Sequence, residues 1–464
     1  MELNIVIMAA GQGTRMKSKR PKVLHTLAGK PLLQYVVGTA ARLQADRIVI
    51  ITGHGADQVE TQMTSAGLTF VRQEPQLGTG HAVQQALPVL GVAQENSITL
   101  ILNGDVPLIE PQTLQALLGA CGGHQLALLS VFLDKPQGYG RILRHPDLNT
   151  VMGIVEERDA SPDQIKIREV YTGVMAAPTR LLEGWLSELT PQNAQGEYYL
   201  TDVVKLAAAQ GTPVVCAQAP DEIQVLGINS PAQLADLERR YQARLAQSLM
   251  LQGVRLADPH RVDIRGTLRC EPDVDIDVNC VFEGEVFLGE GTRIGPHCVI
   301  RQATIGRQTV IHAFTHIDGG AAGVCIGDRA MVGPFARLRP GTSLNDEVHI
   351  GNFVEIKNAT LGPGSKANHL AYIGDAQLGA RVNYGAGSIT ANYDGANKQQ
   401  TVIGHDVHVG SNCVLVAPIT LGDGATIGAG TTLSKDAPRG QLTVARARPV
   451  SLAHWQRPAR KPES

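Results

Sequence analysis

The chain has 464 residues, 43% of them hydrophobic, with 41 Lys plus Arg against 43 Asp plus Glu and a formal net charge of -2. That length is too great for one ordinary core, so two or three domains are expected, and the balanced charge excludes a general attraction to nucleic acid or to an anionic membrane. Seven cysteines, an odd number with no C-x-x-C pair, suggest neither a disulfide framework nor a zinc site and fit a reducing cytosol. No apolar run approaches the ~18 residues that span a bilayer, and the N-terminus is strand-like rather than a charged leader, so a cytoplasmic protein without a membrane anchor is expected.

Leu3-Asn4-Ile5-Val6-Ile7-Met8 is a short, mostly apolar run closed by small residues and reads as a buried strand. In the loop that follows, Ala9-Ala10-Gly11-Gln12-Gly13-Thr14-Arg15, small residues let backbone N–H groups converge on an anion, while Arg15 and Lys22 add positive charge. A phosphate cradle is expected there, where a lone G-x-G would signify only a strand-to-helix turn. Strand-like runs then alternate with helical patterns as far as Asn229: a helix over 32–43, and strands over 47–52, 69–71, 97–102 and 126–131. The alternation predicts a mostly parallel, Rossmann-like sheet wrapped by helices, with ligands beyond the carboxyl ends of its strands. Asn103-Gly104-Asp105 follows one such strand, and the Asp105 carboxylate offers the hard oxygen that Mg²⁺ takes; by itself the triplet is equally an Asx turn.

Three separated motifs in order, A-A-G-x-G-T-R-M with Pro21-Lys22, Gln73 through Gln76-Leu77-Gly78-Thr79-Gly80-His81-Ala82, and Gly104-Asp105-Val106-Pro107-Leu108, resemble the sugar-1-phosphate nucleotidyltransferases. The resemblance implies in-line attack of a sugar phosphate on the α-phosphorus of a nucleoside triphosphate, a reaction that needs positioning and charge neutralisation more than covalent chemistry. It further implies that Met8, Ala9, Ala10, Gly11 and Gly13 cradle the nucleotide, that Arg15 and Lys22 serve the phosphates, and that Gln73, Gly78 and Thr79 read the base. Asp105 and Asn229 would hold Mg²⁺, while Gly140, Glu156 and the segment 196–202 would line the sugar pocket. Where that family carries Asn before Thr-Gly this chain has Tyr171-Thr172-Gly173, and the contact of that Asn is not carried over; the phenol would either fill part of the sugar site or swing out of it.

Ser230-Pro231 is a helix start, with serine as cap and proline at the first helical position, and Leu234, Leu237, Tyr241, Leu245 and Leu249 fall on one face. One long amphipathic helix over 230–252 is expected to join two domains, 1–229 and 253–445. Beyond it the chain repeats every six residues: Ile326, Val332, Leu338, Leu344, Ile350 and Ile356, then Ile403, Val409, Leu415, Leu421, Ile427 and Leu433, with a less regular run from Ile276 through Ile300. A small or β-branched residue often sits four places on, as at Ala330, Ala336, Thr342, Val354, Thr360, Cys413 and Thr431; Cys280 and Cys298 take the same slot as core filler. Each hexad predicts one short strand and a bend, three of them one coil of a triangular parallel β-helix with the aliphatics stacked inside. The polar stretch 390–398 interrupts the period and must leave the prism as a loop. His312 and His316 fall on different positions of successive hexads, so their spacing gives no zinc site. The segment 446–464, rich in proline and cations, reads as a poorly ordered tail.

Arg337 through Gly341, Gly351 through Lys357, His369-Leu370 and Asn392-Tyr393-Asp394-Gly395 resemble the acetyltransferase half of the bacterial bifunctional N-acetylglucosamine-1-phosphate uridylyltransferase/glucosamine-1-phosphate acetyltransferases. The order of nucleotidyltransferase, helix and solenoid is similar over nearly the whole chain. What the resemblance implies is a left-handed coil, a homotrimer, and His369 as the base that frees the glucosamine amine to attack acetyl-CoA, with Glu355 as its partner. It also implies that Arg339, Lys357, Tyr372, Asn383, Asn392 and Lys398 hold glucosamine 1-phosphate, and that Ala386, Asn392, Tyr393, Ser411, Ala429 and Arg446 hold acetyl-CoA. A backbone N–H at Ala386-Gly387 would serve the oxyanion. The product, N-acetylglucosamine 1-phosphate, would then meet UTP in the first half to give UDP-N-acetylglucosamine for peptidoglycan and lipopolysaccharide synthesis. Two alternatives remain open on the residues alone: a nucleotidyltransferase whose β-helix only oligomerises, and a non-catalytic assembly protein built from the same folds.

Overall fold

The structure is a computed structural model, and it describes residues 2–64, 66–91, 96–146, 150–445, 447 and 449–458. Tertiary contacts divide the chain into two compact units, Met1–Tyr241 and Gln242–Ser464.

In the first unit, strands β1 (Leu3–Met8), β2 (Arg47–Thr52), β3 (Leu68–Arg72), β4 (Ile98–Asn103), β5 (Leu126–Phe132), β6 (Gly140–Arg144), β7 (Val151–Val155), β8 (Glu169–Pro178) and β9 (Val214–Gln218) form one sheet. Its main path runs β9-β5-β8-β4-β1-β2-β3, with β6 and β7 as a hairpin against β8. Helices α1 (Leu32–Arg42), α2 (Ala56–Gln62), α3 (Thr79–Leu90), α4 (Pro111–Cys121), α5 (Thr179–Ser187) and α6 (Asp202–Ala209) alternate with these strands. Because helices cover both faces, β1 is apolar apart from the buried Asn4: Ile5 and Ile7 enter one core and Val6 the other. The sheet is mostly parallel, as expected, with β8 running antiparallel to both β4 and β5. The apolar run of β8 reads the same in either direction, and only the chain path through the β6–β7 hairpin reverses it.

At the centre of the sheet β1 lies between β4 and β2, both parallel to it. The chain leaves β1 toward β2 on one side and reaches β4 on the other, so the carboxyl ends of β1 and β4 open a crevice between diverging connections. Met8 pairs with Asn103 in register, and Gly104 N–H donates to the Met8 carbonyl at 2.9 Å, which puts the first loop beside the Asp105 turn.

Helix α7 (Pro231–Leu251) serves both units. Leu234, Leu237 and Tyr241 pack into a cluster with Leu27, Leu32 and Ile228, whereas Leu245, Ala246 and Leu249 pack against the β-helix core.

The second unit is a parallel β-helix of short strands in two hydrogen-bonded sheets. One continuous cluster contains the predicted aliphatics from Ile276 to Leu433, together with Cys280, Cys298 and Cys413. Burial pushes the Cys280 thiol up to about 12 and the Cys298 thiol up to about 11, which suits inert filler. The predicted hexad slips by one residue after Ile356: Ala359 faces inward and Thr360 is exposed. There a single strand, Glu355–Leu361, rounds a corner at Asn358 in left-handed conformation (φ 44), so one residue fewer reaches the next inward position. Corners elsewhere use the same conformation, including His297, Phe314, Phe335, Phe353 and Leu370 along one edge. The predicted break leaves the prism between strands Ile389–Ala391 and Thr401–Ile403. Among the described residues no helix is long and apolar enough to cross a membrane.

Tyr384 occupies an aliphatic slot at 2% exposure, and its hydroxyl has no hydrogen-bond partner among the described residues. A buried, unsatisfied hydroxyl costs roughly 1–3 kcal/mol. Tyr384→Phe is therefore expected to hold or raise the melting temperature of the chain, and a clear drop in calorimetry would reveal a partner for that oxygen.

Candidate active sites

The crevice at β1 is a cleft of about 530 Å³ that gathers Met8, Ala9, Ala10, Gly11, Gly13, Lys22, Gln73, Gly78, Thr79 and Asp105. Four neighbouring strands deliver them. Ala9 N–H donates to Ile51 O (2.8 Å) and Gln73 N–H to Thr52 O (2.8 Å), so the ends of β1, β2 and β3 are tied at one level. Gly13 has φ 62, and a Cβ there would stand 2.8 Å from the Lys22 Cβ, so the closing lysine lies directly over the loop only because residue 13 is glycine. Gly78 has φ 110, and a Cβ would meet the Tyr198 carbonyl at 2.6 Å. Gln73 is oriented from two sides, its Nε2 donating to Gly78 O (2.9 Å) and lying 3.1 Å from His81 Nδ1. Burial lowers the His81 imidazole below its ordinary range, which favours the neutral ring in this contact.

Lys22 Nζ is 2.5 Å from Asp105 Oδ2 and 3.2 Å from Asn229 Oδ1. Two hard oxygens thus converge on one cationic group, which is the donor chemistry Mg²⁺ takes when it keeps water and substrate phosphate as its other ligands. No group of three or more His, Cys, Asp or Glu forms a closed metal cage among the described residues. Arg15 is exposed and outside the cleft wall; Gly140, which is buried, and Glu156, which is partly buried, also lie outside it. Gln76, Asn103 and Glu197 also line the cleft; Gln76 donates to Ala10 O at 2.7 Å, a contact no local sequence pattern announces.

Tyr171 pairs with Gly140 across β8 and β6, and a Cβ on Gly140 would lie 3.7 Å from the Glu156 carboxylate, so these three mark one wall. Burial raises the Glu156 carboxyl above its ordinary range, partly offset by the Thr201 hydroxyl that donates to it at 3.1 Å. The Tyr171 side chain fills its space rather than swinging out. It belongs to the core containing Val6 and Met175, and its hydroxyl has no partner among the described residues.

On the β-helix, His369 ends the strand Lys366–His369 in register with Asn352, and its Nδ1 lies 2.9 Å from Asn352 Oδ1. The partner on Nδ1 is therefore Asn352 and not Glu355, whose carboxylate accepts from Arg339 at 2.7 Å. A chain of backbone bonds continues from this point. Leu370 N–H donates to Asn352 O, Gly387 N–H to His369 O, Asn412 N–H to Ala386 O and Gly430 N–H to Ser411 O. His369, Ala386, Ser411 and Ala429 thus stand in one column along one corner, although 392–400 separates them unevenly in sequence. With Gly387 engaged by His369, the oxyanion donor this turn can offer is the Ala386 N–H.

The other expected groups divide between two faces. Arg339, Lys357 and Tyr372 lie on one sheet, where Glu355 pairs with Tyr372, while Asn383 lies on the adjoining sheet with its amide 3.1 Å from His408 Nδ1. Lys357 and Lys398 touch through their side chains, and this contact, with burial and the Lys398 and Arg339 charges, lowers the Lys357 ammonium from its ordinary range. Asn392 is buried with its amide on Asp375, while Tyr393 is exposed with its hydroxyl on Gly395 O at 2.7 Å. Arg446 lies outside the described residues.

Residues 5–146 match the MobA-like NTP transferase domain, and residues 400–435 match the bacterial transferase hexapeptide repeat. The chain is 66% identical over 465 residues to the bifunctional protein GlmU of Methylibium petroleiphilum, covering 99% of this chain and 100% of that protein. It is 60% identical to the GlmU of Albidiferax ferrireducens and 55% identical to that of Burkholderia vietnamiensis, each over 99% of this chain and 100% of the relative. A solved UDP-glucose pyrophosphorylase in complex with UDP-glucose aligns with 53% of this chain and 100% of its own at 20% identity, with a TM-score of 0.44. By the extent and identity of these full-length matches, the chain belongs to the GlmU family of bifunctional uridylyltransferase/acetyltransferases.

Proposed function

We propose that the two halves act in succession: the β-helix acetylates glucosamine 1-phosphate with acetyl-CoA, and the first unit joins the product to UTP with release of pyrophosphate. The observation that carries this reading is the corner column, in which His369 heads a line of Ala386, Ser411 and Ala429 with a continuous backbone edge for the acetyl-CoA arm. With Asn352 Oδ1 accepting from Nδ1–H, the His369 Nε2 is left with the lone pair that removes a proton from the glucosamine ammonium. The amine then attacks the thioester carbon, the C–S bond breaks, and the thiol leaves with a proton. Two ammonium groups in contact, with a guanidinium close by, repel one another unless an anion lies among them, so Lys357, Lys398 and Arg339 suit the sugar phosphate. Tyr372 and Asn383 flank the sugar.

In the second step an oxygen of N-acetylglucosamine 1-phosphate attacks the UTP α-phosphorus over the Gly11–Gly13 loop. Lys22 turns from Asp105 toward the phosphates, Arg15 approaches from the mouth, Gln73, Gly78 and Thr79 hold uracil, and Gly140 and Glu156 meet the sugar. Asp105 and Asn229 would hold Mg²⁺, which would supply charge neutralisation to the phosphates.

A homotrimer in the cytoplasm fits the same reading, and all seven cysteines are free. His297, Phe314, Phe335 and Phe353 stack at 4.9, 5.1 and 5.4 Å along the corner that leads to Leu370, beside the exposed His369. A copy of the chain covering this half-exposed aromatic column would reach His369 as well, and would unite sugar contacts that one chain divides between two faces.

His369→Ala is expected to cut thiol release from acetyl-CoA by at least about 100-fold while pyrophosphate release from UTP persists, and Asp105→Ala to do the reverse. Loss of both activities in either variant contradicts separate sites. Phe335→Asp is expected to shift sedimentation from trimer toward monomer and to lower acetyl transfer with it. A fully active monomer of the unsubstituted chain would rule out a shared site.

A further inference from the structure

We propose that Asp375 is a positioning residue of the acetyl-transfer site, fastening the 392–400 loop to the β-helix and supplying a buried counter-charge to the lysines beside it; this rests on the acetyltransferase reading above. Asp375 sits at a corner in left-handed conformation (φ 48) with 8% of its surface exposed. A carboxylate so buried needs partners, and it has two carboxamides: Asn358 Nδ2 donates to Oδ1 at 2.6 Å, and Asn392 Nδ2 donates to Oδ2.

Asn392 is the root of the loop. Its carbonyl accepts from Gln399 N–H at 2.8 Å, Tyr393 bridges Lys398 across the loop, and Asp394 accepts from the Ala396 and Asn397 N–H groups at 2.9 and 2.6 Å. The loop is thus a closed hairpin held together internally. Beneath it lies a cavity of about 420 Å³ whose wall includes Asn358, Asp375, Gln377 and Lys398. The Asp375–Asn392 tether fixes this hairpin at its root, and through it the place where Lys398 stands.

The charge acts on the same place. Lys357 pairs in register with Gly374, the neighbour of Asp375. The charged groups facing Lys357 are Lys398, Arg339 and Asp375, the first two opposing its proton and the last retaining it, while Glu355 is engaged by Arg339. Removing the carboxylate therefore makes Lys357 lose its proton at lower pH.

Asp375→Asn is expected to raise the KM for glucosamine 1-phosphate by about tenfold or more, with a smaller change in kcat, and to move the alkaline rise of that KM to lower pH. Asp375→Glu, which keeps the charge, is expected to restore the position of that rise. Pyrophosphate release from UTP should match the unsubstituted chain, and limited trypsin digestion should cut after Lys398 faster in Asp375→Asn and Asp375→Ala. Unchanged KM, pH profile and cleavage rate would overturn the proposal, as would an equal fall in both activities with a lower melting temperature and no shift in the pH profile. If the unsubstituted chain releases no thiol from acetyl-CoA, the acetyltransferase reading fails, and cleavage after Lys398 alone then decides for or against the tether.

Discussion

A parallel strand cannot be joined to its neighbour by a two-residue turn; the chain must first travel back to the starting edge. Both halves of this protein are organised by that constraint and answer it differently. In the first unit the return is made by helices, so the carboxyl ends of β1, β2, β3 and β4 are left as loops at one edge, and Gly11, Gln73 and Asp105 meet there. In the second unit the return is made by coiling. Each coil repeats the corners of the last, and residues far apart in sequence, His369, Ala386, Ser411 and Ala429, are stacked into a column. One catalytic arrangement is a crevice and the other an edge, for the same backbone reason.

Each arrangement also concentrates cations that the nearly neutral chain lacks overall. Lys22 is held between Asp105 and Asn229 with its side chain 15% exposed, so it is partly desolvated, yet its partners are themselves the oxygens a metal would take. Lys357 and Lys398 are pressed together near Arg339, and Glu355 and Asp375 offset only part of that charge. The Lys357, Lys398 and Arg339 cluster carries an excess of positive charge that an anion would offset, and the proposed sugar phosphate is such an anion. Local charge does what net charge does not.

Much of this was legible in the residues, for identifiable reasons. The six-residue period is a direct image of one strand and one bend, so the aliphatic core could be named before the structure over Ile276 to Ile300, Ile326 to Ile356 and Ile403 to Leu433. The loop after β1 was legible because small residues and cations coincide at a strand end. The slip at Thr360 was not, since a corner that drops one residue at Asn358 leaves no mark in an otherwise regular pattern. The reversal of β8 was hidden because an apolar strand carries no sign of direction. Asn352 was passed over as the His369 partner because a carboxylate is the more familiar companion of histidine, and Glu355 proved to be held by Arg339. No local pattern marks Asp375, because its tie to Asn392 is a contact between coils 17 residues apart.

The corner column has a metric consequence. Successive coils are separated by the strand spacing, ~4.8 Å, so the line from His369 through Ala386 and Ser411 to Ala429 measures about 14 Å in three fixed steps. Residues may be inserted within a coil, as at 392–400, and the graduation does not change, because the length of each turn is absorbed sideways. The protein thereby carries a ruler whose divisions are set by backbone hydrogen bonds rather than by side chains, against which the proposed long, flexible thioester arm would be measured one rung at a time.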